Sequence, residues 1–349
     1  MPHGLRLMFS SSPPLVEVES HDLADPGPHQ VLVQQACTQV SAGSEANFLR
    51  HGPTSYGLPE GQARANIGYM AAGRIIAVGS AVRGFHVGQR VITTSPHASL
   101  ARVDVAPGAA IDVIPDRVED EVAGFAILGD VALHGVRRAA LQIDQSVAVF
   151  GLGIVGQLVL QLATLSGAHP RIAIDLLDER LALAKQSGAT HVINAAREDV
   201  VARVREITSG AGAEAVFHCA QAAAILQTTL ECAADRGTVI LTGSPPGTAT
   251  IRLKEELLRK ELRITGTYES GLTHPHAYWP WSRERNRRTC LRLMESGQLQ
   301  LTHLISHRLP PDQAPEIYQR ILSSASGWLG VVIRWTDSLP ASSPPSSPA

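Results

Sequence analysis

The chain is 349 residues long, which at roughly 100 to 200 residues per domain predicts about two domains with substantial cores. Hydrophobic residues make up 44% and charged residues only 18%, a balance that excludes disorder over most of the length. The net charge of −2 gives no reason to expect nucleic acid or an anionic membrane as a partner.

Residues 1–14 contain no basic segment followed by an apolar core, so no secretory leader is expected. The four cysteines, Cys37, Cys219, Cys232 and Cys290, are scattered and form no C-x-x-C pair, which fits a reduced cytoplasm. Runs at 5–9, 15–19 and 30–36 predict strands separated by Pro13-Pro14 and Pro26-Gly27-Pro28, and 74–78, 90–93 and 101–105 continue the pattern. This opening predicts a mainly antiparallel β domain.

Helical spacing then appears at 119–128 and 131–141. Strands are predicted at 147–150, 171–174, 191–193, 215–218, 238–241 and 263–266, alternating with helices at 155–166, 178–187, 199–208, 222–233 and 253–259. Such alternation predicts a parallel, doubly wound sheet. Ser282 can cap a helix that runs to Glu295 and ends at Gly297. A further helix is predicted at 315–323 and a last strand at 330–335, and the tail at 339–349, only Pro, Ala and Ser beyond Leu339, is expected to be disordered. The uncharged stretch 145–169 is long enough to span a bilayer, but its three glycines predict instead a buried strand turning into a helix.

That stretch holds the sharpest motif, V-A-V-F-G-L-G-I-V-G at 147–156. Gly151 permits a tight turn, Gly153 lets a pyrophosphate approach the backbone and Gly156 lets the helix pack on the strand. The residues between and beside them, Leu152, Ile154 and Val155, carry backbone N–H groups at the helix start, where phosphate is favoured. The second strand ends in Asp175, 24 residues after Gly151, where a carboxylate can accept from an adenosine ribose and would repel a 2′-phosphate. NAD(H) is therefore favoured. Arg180 can lie over the adenosine, which keeps NADP(H) as the alternative. Cys219, Ala220, Thr242, Gly243, Thr267 and Tyr268, which follow the later strands, are also candidate dinucleotide contacts.

With these pieces in order, the chain resembles the medium-chain dehydrogenase/reductase superfamily. The resemblance is carried by V-L-V-Q-Q-A-C (31–37), G-R-I-I-A-V-G (73–79), G-F-H-V-G-Q-R-V (84–91), the glycine motif, L-A-L-A-K-Q-S-G-A-T-H-V-I-N (181–194) and the closing S-H-R-L-P and G-V-V-I. It implies a GroES-like β-rich catalytic domain over 1–118 and 304–338, interrupted by a Rossmann domain over 119–303, with the active site in the cleft between them. Zinc alcohol dehydrogenases of that superfamily carry C-G-S-D after the A-C strand and G-H-E later; the matching stretches here are Ala42-Gly43-Ser44-Glu45 and Gly68-Tyr69-Met70. Ala, Tyr and Met are poor zinc ligands. After Val91 the four-cysteine structural loop is also missing, so no zinc is expected, and the chain looks like a zinc-free branch that includes bacteriochlorophyllide dehydrogenase-like proteins and enzymes of secondary metabolism.

Without a metal, hydrogen-bond donors must stabilise the negative charge that develops on a substrate oxygen. Tyr69, at the position of a metal ligand in relatives, and Ser44, at the family's proton-relay position, are the expected catalytic pair. Glu45 and Asp130 are acidic candidates for tuning or substrate recognition. His134 reads as a packing residue, the His274/His276 pair as a loop, and Arg283–Arg288 as a solvated helix start. Tyr268, Tyr278, Trp279 and Trp281 either line the nicotinamide pocket or pack in a core.

The expected function is alcohol–ketone interconversion on a polar small molecule such as a sugar, cyclitol or secondary metabolite. A homodimer without nucleic-acid or membrane partners is expected. A quinone or enoyl reductase, and a dinucleotide-binding protein without turnover, stay open as alternatives. So does the reaction direction, because metal-free reduction usually draws on NADPH whereas Asp175 points to NAD.

Overall fold

The structure is a computed structural model and describes residues 3–11, 15–52, 63–106, 108–268, 279–324 and 326–335. The tail and the His274/His276 pair lie outside the described residues, as does Tyr278. The chain divides into two compact units, the first formed by 1–114, 119–124 and 306–349, the second by 115–118 and 125–305.

In chain order the first unit contributes β1 (His3–Ser10), β2 (Val16–Asp22), β3 (Gln30–Val40), α1 (Ala42–His51), β4 (Arg64–Asn66), β5 (Ala71–Val78), β6 (Arg90–Thr93), β7 (Leu100–Asp104), β8 (Ile111–Val113) and α2 (Asp120–Ala123). The second contributes α3 (Ala126–Ala139), β9 (Val147–Phe150), α4 (Ile154–Leu165), β10 (Arg171–Asp175), α5 (Asp178–Gln186), β11 (His191–Asn194), α6 (Val200–Ile207), β12 (Ala213–His218), α7 (Leu226–Glu231), β13 (Ala233–Leu241), β14 (Arg263–Gly266) and α8 (Arg283–Glu295). The chain then closes with β15 (Ile305–Leu309), α9 (Ala314–Ser323) and β16 (Gly330–Arg334).

In the second unit the strand order is β11-β10-β9-β12-β13-β14, all parallel, with Val147 opposite both Arg171 and Ala215. This is the doubly wound order, whose direction reverses between β9 and β12, the place where such sheets bind ligands. The uncharged stretch is β9 and α4: nine of the twelve α4 residues are buried because the helix is apolar on nearly every face. Among the described residues no helix is long and apolar enough to cross a membrane.

The first unit pairs β16 and β5 to β3 in an antiparallel sheet, with β7 on β3 as well, and a separate sheet of order β2-β1-β4. Its core gathers Leu7, Phe9, Phe48, Tyr318, Val331, Ile333 and Trp335. Amphipathic α9 covers this core with Ile317, Tyr318 and Ile321.

Several elements differ from the sequence expectation. Residues 119–128 break into two helices at Gly124, because Gln39 presses there: a Cβ on Gly124 would lie 1.8 Å from Gln39 Oε1, and Gln39 Nε2 donates to the Asp120 and Glu121 carbonyls at 3.2 Å each. The unit boundary correspondingly lies beyond 118, since Glu121 of α2 pairs with Arg308 and Arg334 inside the first unit. The stretch 222–233 holds a short 3-10 turn and the six-residue α7, and 253–258 is a π-helical turn. α1, β4, β8 and β15 form where the sequence pattern predicts no element.

Trp335 is fully buried and its Nε1 donates to Thr38 Oγ1 at 3.0 Å, so the residue after β16 is pinned to β3 within the first unit. Trp335→Ala is expected to lower the unfolding free energy by about 3 to 5 kcal/mol, measured by denaturant titration. A loss below about 1 kcal/mol would mean that the closing strand is dispensable.

Candidate active site

The second unit carries a glycine-lined cradle at the end of β9. Gly151 has φ +86°, and a Cβ there would come 2.7 Å from the Ala220 nitrogen, so the β9 and β12 loops can approach only over a glycine. A Cβ on Gly156 would lie 2.0 Å from the Gly151 carbonyl oxygen, which fixes α4 against the end of its strand. Gly153, the residue before α4, has open space where its Cβ would be and no side chain caps the helix. The N–H groups of the first turn, around Ile154 and Val155, therefore remain available to an anion. This cradle fits a dinucleotide pyrophosphate.

Asp175 sits at the end of β10 as the motif requires. Its Oδ2 accepts from the Leu152 nitrogen at 2.7 Å, while Oδ1 accepts from the Leu176 and Leu177 nitrogens at 2.8 and 3.0 Å. Each carboxylate oxygen takes about two hydrogen bonds, so Oδ2 retains capacity for a ribose hydroxyl. Arg180 lies half-buried in α5, and its carbonyl accepts from Gln157 Nε2 at 3.0 Å. Gln157, which motif reading passes over, also donates to the Leu152 carbonyl and so stitches the glycine loop to α5.

Around the ends of β12 and β13, a Cβ on Gly243 would come 2.8 Å from the Ala220 carbonyl oxygen. Burial pushes the Cys219 thiol up to about 12, with the Thr242 hydroxyl opposing, so it stays a neutral thiol. Thr267 is spent on β13, its hydroxyl donating to the Leu241 carbonyl at 2.9 Å. Tyr268 is 71% exposed, so it is not a core residue.

Asp130 of α3 is fully buried. Burial raises its pKa, opposed by Asn286 and Arg283, which donate to Oδ1 at 2.8 Å and to Oδ2 at 3.0 Å. Its carboxylate thus ties α3 to the start of α8. Trp281 lies 3.6 Å from the Arg137 guanidinium and 4.1 Å from that of Arg285, and Trp279 packs edge-on to His134. The run Arg283–Arg288 is therefore partly structural, with Arg283 on Asp130 and Arg287 buried.

The first unit carries a group of hydroxyls. Tyr69 donates to Ser41 Oγ at 2.6 Å and lies 3.3 Å from Ser44 Oγ; Tyr69 and Ser44 are partly exposed and Ser41 is buried. Glu45, an acidic candidate from the sequence, is fully buried. Its Oε1 accepts from the Ser41 nitrogen at 2.7 Å, and its Oε2 meets His97 Nε2 at 3.2 Å and the Tyr318 hydroxyl. Ser41, His97 and Tyr318 were not legible as site residues. Only Ser41 carried a local signal, as a helix cap before S-E. Among the described residues no group of three or more His, Cys, Asp or Glu side chains can hold a metal.

A family model described as zinc-binding dehydrogenase matches residues 155–283. L-threonine 3-dehydrogenase of Pyrococcus horikoshii is 27% identical over 90% of this chain and 93% of its own. Sorbitol dehydrogenase of Bacillus subtilis is 23% identical over 95% and 98%. The chain belongs to the medium-chain dehydrogenase/reductase superfamily. It is an oxidoreductase of that superfamily.

Solved structures share the superfamily fold. An Escherichia coli oxidoreductase/dehydrogenase of unknown specificity superposes with a TM-score of 0.83 at 20% identity, covering 95% of this chain and 99% of its own. A Sinorhizobium meliloti protein bound to NADP gives 0.79 at 22%, covering 96% and 100%. An alcohol dehydrogenase of Escherichia coli CFT073 complexed with NADH gives 0.79 at 18%, covering 95% and 99%.

Burial pushes His134 down to about 4 from 6.5, and the neighbouring Arg138 and Arg137 act in the same direction. Between those pH values the unfolded chain takes up a proton that the folded chain refuses, so stability is lost as pH falls through this window. His134 is expected to contribute an acid loss of up to about 3 kcal/mol. Denaturant melts of His134→Phe should show a correspondingly shallower decline below pH 6.5; an unchanged decline would contradict the assignment.

Proposed function

We propose that the protein is a zinc-independent, NAD(H)-preferring dehydrogenase that interconverts an alcohol and a ketone on a polar small molecule such as a sugar or cyclitol. The observation that carries this reading is the Tyr69 phenol, in hydrogen-bond contact with Ser41 and within reach of Ser44. It stands where the superfamily resemblance puts a zinc-binding histidine.

The cradle of Gly151, Gly153 and Gly156 with Asp175 would hold the dinucleotide, whose chemistry when bound would be hydride exchange with the substrate carbon. In reduction, Tyr69 donates to the carbonyl oxygen as negative charge builds there, passes its proton to the alkoxide and recovers one from solvent, which reaches the partly exposed phenol; in oxidation the alcohol proton leaves by the same path in reverse. Ser44, beside it, takes an adjacent substrate hydroxyl, which is why a polyol suits the site better than an apolar enone. Asp130 acts by holding α8 in place. Threonine and sorbitol dehydrogenases, named for polar alcohols, support the substrate class. Structural neighbours carry both NADP and NADH, so the cofactor preference rests on Asp175. We assign the enzyme to the cytoplasm as a homodimer, with the exposed edge strand β14 as the edge that a second copy can pair with.

Calorimetric titration with NADH and NADPH, on wild type and Asp175→Asn, tests the cofactor site. Tighter NADH binding, weakened about tenfold by the substitution, is expected; tighter NADPH binding unaffected by it would overturn the NAD assignment. On a panel of polyols and ketones, Tyr69→Phe is expected to lose about 100-fold in kcat. Full activity in that variant would remove Tyr69 from the chemistry.

A further inference from the structure

Ser41 precedes α1 at the position where a serine side chain usually caps a helix, yet it makes no cap hydrogen bond. The hydroxyl is occupied instead by Tyr69, at 2.6 Å against 3.3 Å for Ser44. What holds Ser41 in this orientation is its backbone: its N–H donates to Glu45 Oε1 at 2.7 Å, and its carbonyl accepts from the Glu45 N–H at 2.8 Å.

The carboxylate that makes the first of these bonds is itself fixed from two other segments. Tyr318 of α9 donates its hydroxyl to Oε2. His97, fully buried in the segment after β6, presents Nε2 to the same oxygen at 3.2 Å. Glu45 Oε2 accepts here, so Nε2 of His97 carries the hydrogen of this contact. The other face of the constellation also meets His97. A Cβ on Gly68, which has φ +90°, would come within 2.3 Å of the His97 ring, so the imidazole lies flush against the residue that immediately precedes Tyr69. His97 thus touches both arms: Glu45, which sets Ser41, and the backbone that leads into Tyr69.

We propose that His97, together with Tyr318 and Glu45, is a positioning residue that sets the Ser41–Tyr69 hydrogen bond, and that Ser41 is the alternate partner of the Tyr69 hydroxyl during turnover. Without substrate, Tyr69 donates to Ser41. When Tyr69 turns its hydrogen toward a substrate oxygen, the Ser41 hydroxyl reverses and donates to the phenol oxygen. The exchange needs only rotation of two hydroxyl groups, with no covalent step and no change in the charge of the buried carboxylate. This inference rests on the role proposed above for Tyr69.

The test labels the tyrosines with 13C at Cζ and assigns the Tyr69 resonance by its loss in Tyr69→Phe. Ser41→Ala is expected to move this resonance, and His97→Gln and Tyr318→Phe are expected to move it in the same sense with the fold intact by circular dichroism. On a substrate found with the polyol and ketone panel, His97→Gln should lower kcat about tenfold or more while KM changes less than about twofold. A Tyr69 resonance unmoved in both a folded His97→Gln and a folded Tyr318→Phe would overturn the proposal. Tyr318→Phe removes a single oxygen, so it reads the same linkage if His97→Gln fails to fold. The resonance reports on positioning even if the panel shows no turnover, which would count against the proposed function alone.

Discussion

A carboxylate with no solvent exposure is tolerable only when donors converge on it. Glu45 is that group in the first unit. Its donors come from the start of its own helix, from the segment carrying His97 and from Tyr318 on α9. Tyr318 arrives only after the chain has passed through the whole second unit. The hydroxyl group around Tyr69 therefore cannot be assembled from the amino-terminal strands alone; it needs α9 packed on the core that Trp335 and Ile333 complete. A local hydrogen bond between two hydroxyls is in this way tied to closure of the unit.

The second unit depends on a different constraint, close approach of backbone to backbone. Gly151 and Gly156 are sites where a single Cβ would collide with main-chain atoms, so their role is met by the absence of a side chain. Gly153 has room, and the room is where a phosphate fits. Asp175 has a structural duty beside the ribose role proposed for it, because three backbone N–H groups of the glycine loop and the β10 end converge on it. The same carboxylate can thus shape the loop and read the cofactor.

The parallel sheet was legible because short apolar runs at 147–150, 171–174 and 215–218 are bounded by glycine and polar residues and separated by helical spacing. The dinucleotide motif was legible for the same reason: its glycines sit between a strand and a helix. Helix α1 was not, because Glu45 occupies its buried face and interrupts the apolar spacing of Ala42, Ala46 and Leu49. The residue that hides the helix is the one that holds the site together. Short strands such as β4 and β8, three residues each, carry too little pattern to read. His97 and Tyr318 give no local signal, since their relation to Glu45 exists only in the folded unit. Asp130 was legible as an acid, but its partners on α8 lie more than 150 residues away.

The superfamily is one in which a metal commonly polarises the substrate oxygen, and the matching family model is described as zinc-binding. Ala42, Tyr69 and Met70 stand at positions where the resemblance puts ligands, and Tyr69 turns one of them into a hydrogen-bond donor. We infer that hydrogen-bond donors replace the Lewis acid. The direct measurement is dinucleotide-dependent turnover of polyols and ketones after exhaustive chelation, with zinc quantified by elemental mass spectrometry in the same sample. An undiminished rate with no zinc present is expected; a rate abolished by chelation and restored by stoichiometric zinc would mean that a metal, and not Tyr69, polarises the substrate oxygen.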